Sequence, residues 1–173
     1  SKFNDLGKPL MRYPGGTASN YLNLAKGWHE AWPGAYANAS NRVSSFNKGM
    51  TNAGKGTKGE EIGKFIDFLQ ATDATSTFVV NLTTMSGTDV ATVLDIIKNR
   101  GEELDYVDLA NEGYFGQYTS IIADEASYMA LAKDRADTVR SRFPNAKIGA
   151  LLPSQIYTKE IYLRGGGSSA SSQ

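Results

Sequence analysis

Four short apolar runs, separated by segments of helical period, constrain this chain more than any other feature. They are residues 9–13 (PLMRY), 77–82 (TFVVNL), 106–110 (YVDLA) and 147–152 (KIGALL). Each is too short for a helix, and the second and fourth are nearly continuous in apolar residues, as strands covered on both faces are. Between them, Ile62, Phe65, Ile66 and Leu69 form one stripe at spacings of three and four, and Val90, Val93, Leu94 and Ile97 form another. The longest helix is predicted to carry Met129, Ala132, Ala136, Val139 and Phe143 on one face. It should begin near Asp124 and Glu125, acids suited to the positive end of a helix, and stop before Pro144. Strand alternating with helix means parallel strands joined by right-handed crossovers, so the predicted class is α/β.

Composition narrows the function. With 173 residues, 40% of them hydrophobic, the chain can bury a real core. Its 18 Lys+Arg balance 18 Asp+Glu, so neither nucleic acid nor an anionic membrane meets a basic face, and neither is expected as a partner. No apolar run approaches the roughly 20 residues of a membrane span. No charged segment followed by an apolar one opens the chain, so any signal peptide is expected to have been removed or to lie outside it. The absence of cysteine excludes disulfides, thiolate metal sites and a cysteine nucleophile. One histidine, His29, does not make a metal site alone and is expected at the surface or in a loop; no metal or cofactor is expected. Sequons occur at Asn38 and Asn81, the latter at the end of an apolar run, a poor place for a glycan.

Two stretches break the rhythm. Residues 27–59 are rich in Gly, Asn, Ser and Ala, with Trp28, Trp32 and Tyr36 among them. That is too long for an ordinary strand-to-helix loop, and long loops in compact domains are usually functional or mobile. Residues 165–173 (GGGSSASSQ) read as a flexible tail or linker, leaving 1–164 as the folded unit. Within the long loop, Gly54, Gly56 and Gly59 spell G-x-G-x-x-G before a helix, which would suit a dinucleotide if a strand preceded it. The preceding residues are too polar and irregular for a central strand, so a mobile loop is the better reading.

Chemistry concentrates at two strand ends. Glu112, in Asp108-Leu109-Ala110-Asn111-Glu112-Gly113-Tyr114-Phe115, sits just past a buried strand, at the edge where parallel α/β folds bind ligands. Asn111 can donate and accept hydrogen bonds to a sugar hydroxyl, and Tyr114 and Phe115 offer flat faces for stacking. By itself, Glu112 reads more readily as a loop or helix cap. Arg12, in Arg12-Tyr13-Pro14-Gly15-Gly16-Thr17, ends another strand before a Pro-Gly-Gly turn, and by itself reads equally as a solvated arginine at a plain turn.

In combination, "RYPGGT", "EIGKFIDFL", "TFVVNLTT", "VDLANE" and "KIGALL", in this order, resemble the (β/α)8-barrel glycoside hydrolases of clan A, and most closely the α-L-arabinofuranosidases of glycoside hydrolase family 51. The resemblance covers about residues 5–152, with 27–59 matching poorly. It implies a partial barrel, roughly strands 2 to 5, of a retaining glycosidase that degrades polysaccharide outside the cell or at its surface. Glu112 would be the general acid/base, Asn111 would bind the sugar 2-hydroxyl, Arg12 would lie near the nucleophile, and Asn81 would line the rim of the pocket. Thr17 stands at a sugar-contacting position where the family usually has Asn, and Ala110 stands where it has Gly. The nucleophile is expected after strand 7, on a remaining barrel segment outside this chain, so these residues alone should be inactive. The alternatives are a carbohydrate-binding or surface structural protein on a degenerate barrel, and, on the glycine motif only, a nucleotide-binding domain.

Overall fold

The computed structural model describes residues 5, 7–52, 60–113 and 115–151. In chain order the elements are β1 (Leu10–Tyr13), β2 (Leu22–Asn23), β3 (Trp28–His29), α1 (Ala39–Asn52), α2 (Glu60–Thr72), β4 (Thr75–Val80), α3 (Gly87–Asn99), β5 (Tyr106–Leu109), α4 (Glu125–Arg140) and β6 (Lys147–Gly149). A 3-10 turn at Thr17–Asn20 follows β1, and another at Gly116–Tyr118 precedes α4. The protein is α/β: β1, β4, β5 and β6 form a parallel sheet in that spatial order, and β2 and β3 form a separate antiparallel pair.

Each crossover advances the chain by one strand in the same direction. Right-handed connections of that kind put the helices preceding β4, β5 and β6 on one face, and there α3 packs between α2 and α4. The stripes meet the sheet there: Ile62, Phe65, Ile66 and Leu69 from α2, and Val90, Val93, Leu94 and Ile97 from α3, share one core with Phe78, Val80, Val107 and Leu109. Each such side chain contributes about 1.5–3 kcal/mol when fully buried. Tyr13 ties β1 to α2 by stacking on Phe65 with ring centroids 4.2 Å apart. Capping boxes start α3, at Ser86 with Asp89, and α4, at Asp124 with Ser127, so orphan N–H groups of each first turn are satisfied.

Four of the five positions in the predicted α4 stripe, Ala132, Ala136, Val139 and Phe143, are buried, and only the first differs. Met129 is 54% exposed, and Tyr128 takes its place in the core at 3%. Tyr128, Ala132, Ala136 and Val139 are an equally good helical series, and the phenol gives Tyr128 a polar end to use at the sheet edge. The helix ends at Arg140, so Phe143 fills the core from the turn beyond it.

The other face of the sheet is more open. Alternation along β1 and β5 directs Leu10, Arg12, Tyr106 and Asp108 to it, and Leu10 and Tyr106 are 60% and 38% exposed. β4 is buried from Ser76 to Val80, as its apolar run predicts, whereas β6 is half-buried at Ile148 and exposed on either side of it.

Residues 27–59 are not a plain loop, since β3 and α1 lie within them. Helix α1 is largely polar, with Val43 and Phe46 packing against a second core of Tyr21, Trp32, Ala39 and Tyr118. So few apolar positions leave no legible stripe. His29 is a correction to the expected surface or loop placement: it is 7% exposed and sits in β3. Asn47 of α1 holds it from both sides. The Asn47 amide oxygen accepts from the His29 backbone N–H at 2.9 Å and lies 3.0 Å from the ring Nδ1, while Asn47 Nδ2 donates to the His29 carbonyl at 3.0 Å. Burial lowers the imidazole pKa, partly opposed by the Asn47 bond. The glycine motif at 54–59 and the tail at 165–173 lie outside the described residues. No helix among the described residues is long and apolar enough to cross a membrane.

Candidate active site at the carboxyl edge of the sheet

The parallel strands end at a common edge, and the residues just past them meet there. Arg12 from β1, Asp108 to Glu112 from β5 and beyond, and Gly149 to Leu151 from the end of β6 line a pocket of about 260 Å³. Of the residues expected to bind or react, the pocket brings together Arg12, Asn111 and Glu112.

Their side chains form a chain of polar contacts. Arg12 Nε donates to Asp108 Oδ2 at 3.0 Å, and Arg12 also donates from its terminal guanidinium nitrogen to Asn111 Oδ1 at 3.4 Å. With its oxygen facing the arginine, the Asn111 amide turns its NH2 toward Glu112, 3.4 Å from Oε2. A cation, an amide and a carboxylate are thus ordered along one wall. Asp108 is a partner that neither motif marks as a site residue. Its signal was the period-two alternation of β5, which puts it on the face opposite Val107 and Leu109. Glycine at position 149 makes room for it, because a Cβ there would come within 2.9 Å of the Asp108 carboxylate.

The backbone here is unusual. Ala110 pairs with the sheet one last time, its N–H donating to the Val80 carbonyl at 3.0 Å. The chain then turns with Ala110 at φ 77° and Glu112 at φ 47°. For residues with side chains the left-handed region costs about 1–2 kcal/mol each, so the surroundings must impose this geometry. Gly113 completes the turn where a Cβ would collide with Ile122 at 2.8 Å. From α4, the buried Tyr128 hydroxyl donates to the Leu109 carbonyl at 3.3 Å and accepts from the Leu151 N–H at 2.6 Å, fastening β5 to the wall beyond β6. Burial raises the Tyr128 pKa, which keeps that hydroxyl protonated.

The remaining expected residues lie elsewhere. Asn81 is 2% exposed and does not line the pocket. Its NH2 donates to the Leu22 carbonyl at 2.9 Å and to Thr84 Oγ1 at 2.7 Å, and its oxygen accepts from the backbone of Thr83 and Thr84. It is fully occupied in holding the β1 and β4 loops together. Thr17 begins the 3-10 turn, half-buried and away from the pocket lining. Phe115 is 37% exposed, outside the lining, and Tyr114 lies outside the described residues. Among the described residues no group of three or more His, Asp or Glu side chains could hold a metal ion.

Compared with known proteins, the chain matches no family model, no curated protein and no solved structure.

Proposed function

We propose that this chain is part of a (β/α)8-barrel glycoside hydrolase of the retaining, arabinofuranosidase-like kind, with Glu112 as its general acid/base. The observation that carries the proposal is the convergence of Arg12, Asn111 and Glu112 on one pocket at the carboxyl edge of a parallel sheet. That edge is where barrel enzymes hold their catalytic groups. A sheet wound in one direction, with α2, α3 and α4 on one face and Leu10 and Tyr106 exposed on the other, is also what a section of a barrel wall would look like.

The chemistry follows from the groups present. A retaining glycosidase uses two carboxyl groups about 5–5.5 Å apart, one giving its proton to the leaving oxygen and the other attacking the anomeric carbon. Glu112 takes the first role and, in the second half of the reaction, removes a proton from the incoming water. Asn111, its oxygen engaged by Arg12, directs N–H groups toward the sugar and Glu112. The nucleophile and the remaining strands of the barrel come from outside this chain.

A specific observation favours a second reading. The Arg12 charge is already matched by Asp108, so an inherited pocket that only binds carbohydrate is a coherent alternative. Replacing Glu112 by Gln in the assembled protein separates the two. Hydrolysis of an aryl glycoside should fall by at least about 100-fold while sugar binding persists. Undiminished hydrolysis by Glu112→Gln would overturn the assignment. Sugar binding without hydrolysis in the parent protein would establish the binding reading.

A further inference from the structure

We infer that Asn20 is a positioning residue for Glu112: its buried amide brackets the backbone of Asn111 and so imposes the left-handed turn that presents the carboxylate. Asn20 closes the 3-10 turn after β1 and is 1% exposed. Its Nδ2 donates to the Asn111 carbonyl at 2.5 Å, and its Oδ1 accepts from the Asn111 N–H at 3.3 Å. Asn20 is itself fixed, since its carbonyl accepts from Thr83 Oγ1, and Thr83 is held by Asn81.

Sheet pairing of the β5 strand stops at Ala110, and the next residue would normally leave its N–H and C=O to solvent. A primary amide offers one donor and one acceptor side by side, as a neighbouring strand would. Asn20 therefore extends the ladder by one residue with a side chain. It does so at the residue between the two left-handed positions, Ala110 and Glu112. With both backbone groups of Asn111 fixed, its neighbours cannot relax to right-handed geometry without breaking two buried hydrogen bonds. That Glu112 is catalytic rests on the hydrolase reading; the bracket does not.

The test uses three forms of the 173-residue chain: the parent, Asn20→Ala and Asn20→Asp. The parent should show at Ala110 and Glu112 the strong intraresidue HN–Hα NMR cross-peaks of residues with positive φ, and a protected Asn111 amide. Asn20→Ala should lose those cross-peaks, and Asn111 amide exchange should accelerate at least about tenfold while α3 amides stay unchanged. Asn20→Asp keeps the volume and guards against a misfolded alanine variant. Its ionised carboxylate faces the Asn111 carbonyl without a proton to give, so the cross-peaks should vanish; they should return on acidification, when the acid can donate and accept as the amide does. An Asn20→Asp protein identical to the parent at every pH, or an Asn20→Ala protein with cross-peaks and protection intact, would overturn the proposal. In the assembled protein, Asn20→Ala should lower kcat on an aryl glycoside about 10- to 100-fold with KM changed less than about twofold. A raised KM at unchanged kcat would overturn it too. Absence of hydrolysis in the parent would sink the hydrolase reading, while the NMR comparison still decides the bracket.

Discussion

Two regions of this protein are held by different physics. The layer of α2, α3 and α4 on the sheet is an aliphatic core, in which Ile66, Val93, Leu94, Val107 and Val139 are fully buried. The unit of residues 17–52 lends Leu22 and Leu24 to that core but otherwise packs around tilted aromatic rings: Trp32 lies 5.0 Å from Tyr118 and 5.1 Å from Tyr21. Buried polar side chains knit it to the sheet edge, with Asn20 reaching the β5 loop and Asn81 reaching back to Leu22, while within the unit Tyr21 and Tyr36 share a hydrogen bond at 2.8 Å. Burial of an aliphatic side chain is non-directional and scales with area. An amide bracket is directional and fails as a unit. The first region supplies stability, and the second sets the geometry of the site.

The comparison breaks most sharply under large-to-small substitution in the aliphatic layer. Leu94→Ala should cost about 2–5 kcal/mol, read from the urea midpoint of the whole chain, because the cavity opens where the helices and sheet meet. A loss under about 1 kcal/mol would mean that α3 is not central. In the aromatic unit the sensitive change is to hydrogen bonding. Asn47→Ala strips partners from the buried His29 backbone and should cost about 1–3 kcal/mol. Amide exchange should quicken in β2, β3 and α1 first, and equal quickening in α2 to α4 would show that the two regions do not act separately.

Acid should discriminate in the same way. The buried His29 has a pKa below its ordinary 6.5, so the folded state takes up a proton less readily than the unfolded chain. Its contribution is fully present above pH 6.5 and is lost as pH falls from there toward the lowered folded value. The 17–52 unit should therefore loosen on acidification before the sheet does, and His29→Gln should flatten that dependence; an unchanged profile in the variant would place the acid sensitivity elsewhere. Smaller still is Tyr128→Phe, about 1 kcal/mol from two lost hydrogen bonds, measured by the same urea transition. Met129→Ser, one residue away and facing solvent, should stay within about 0.5 kcal/mol.

The same division decides what could be read from sequence. Periodicity records burial, so the four strands of the sheet and the stripes of α2 and α3 were legible, each strand to within a few residues. Glu112 was legible too, because a strand end is a position that the pattern marks. The stripe of α4 was legible except at its first position, since Tyr128 and Met129 begin equally good helical series and only packing chooses between them. Asn20 and His29 left no trace. Asn20 meets its partner across 91 positions and His29 across 18, and side-chain hydrogen bonds between distant segments carry no period. Asn81 was marked by its strand end, but the structure shows it holding loops in place. A polar residue past a strand can face the pocket or brace the loops around it, and the strand pattern is the same for both.

The most direct measurement is a crystal structure of the assembled protein with a sugar-mimicking inhibitor bound beside Glu112. The account predicts a second carboxylate, supplied from outside this chain, about 5–6 Å from the Glu112 carboxyl group across the anomeric carbon. A bound inhibitor with no second carboxylate near it, or one that leaves Glu112 turned away, would contradict the assignment of this pocket as a retaining hydrolase site.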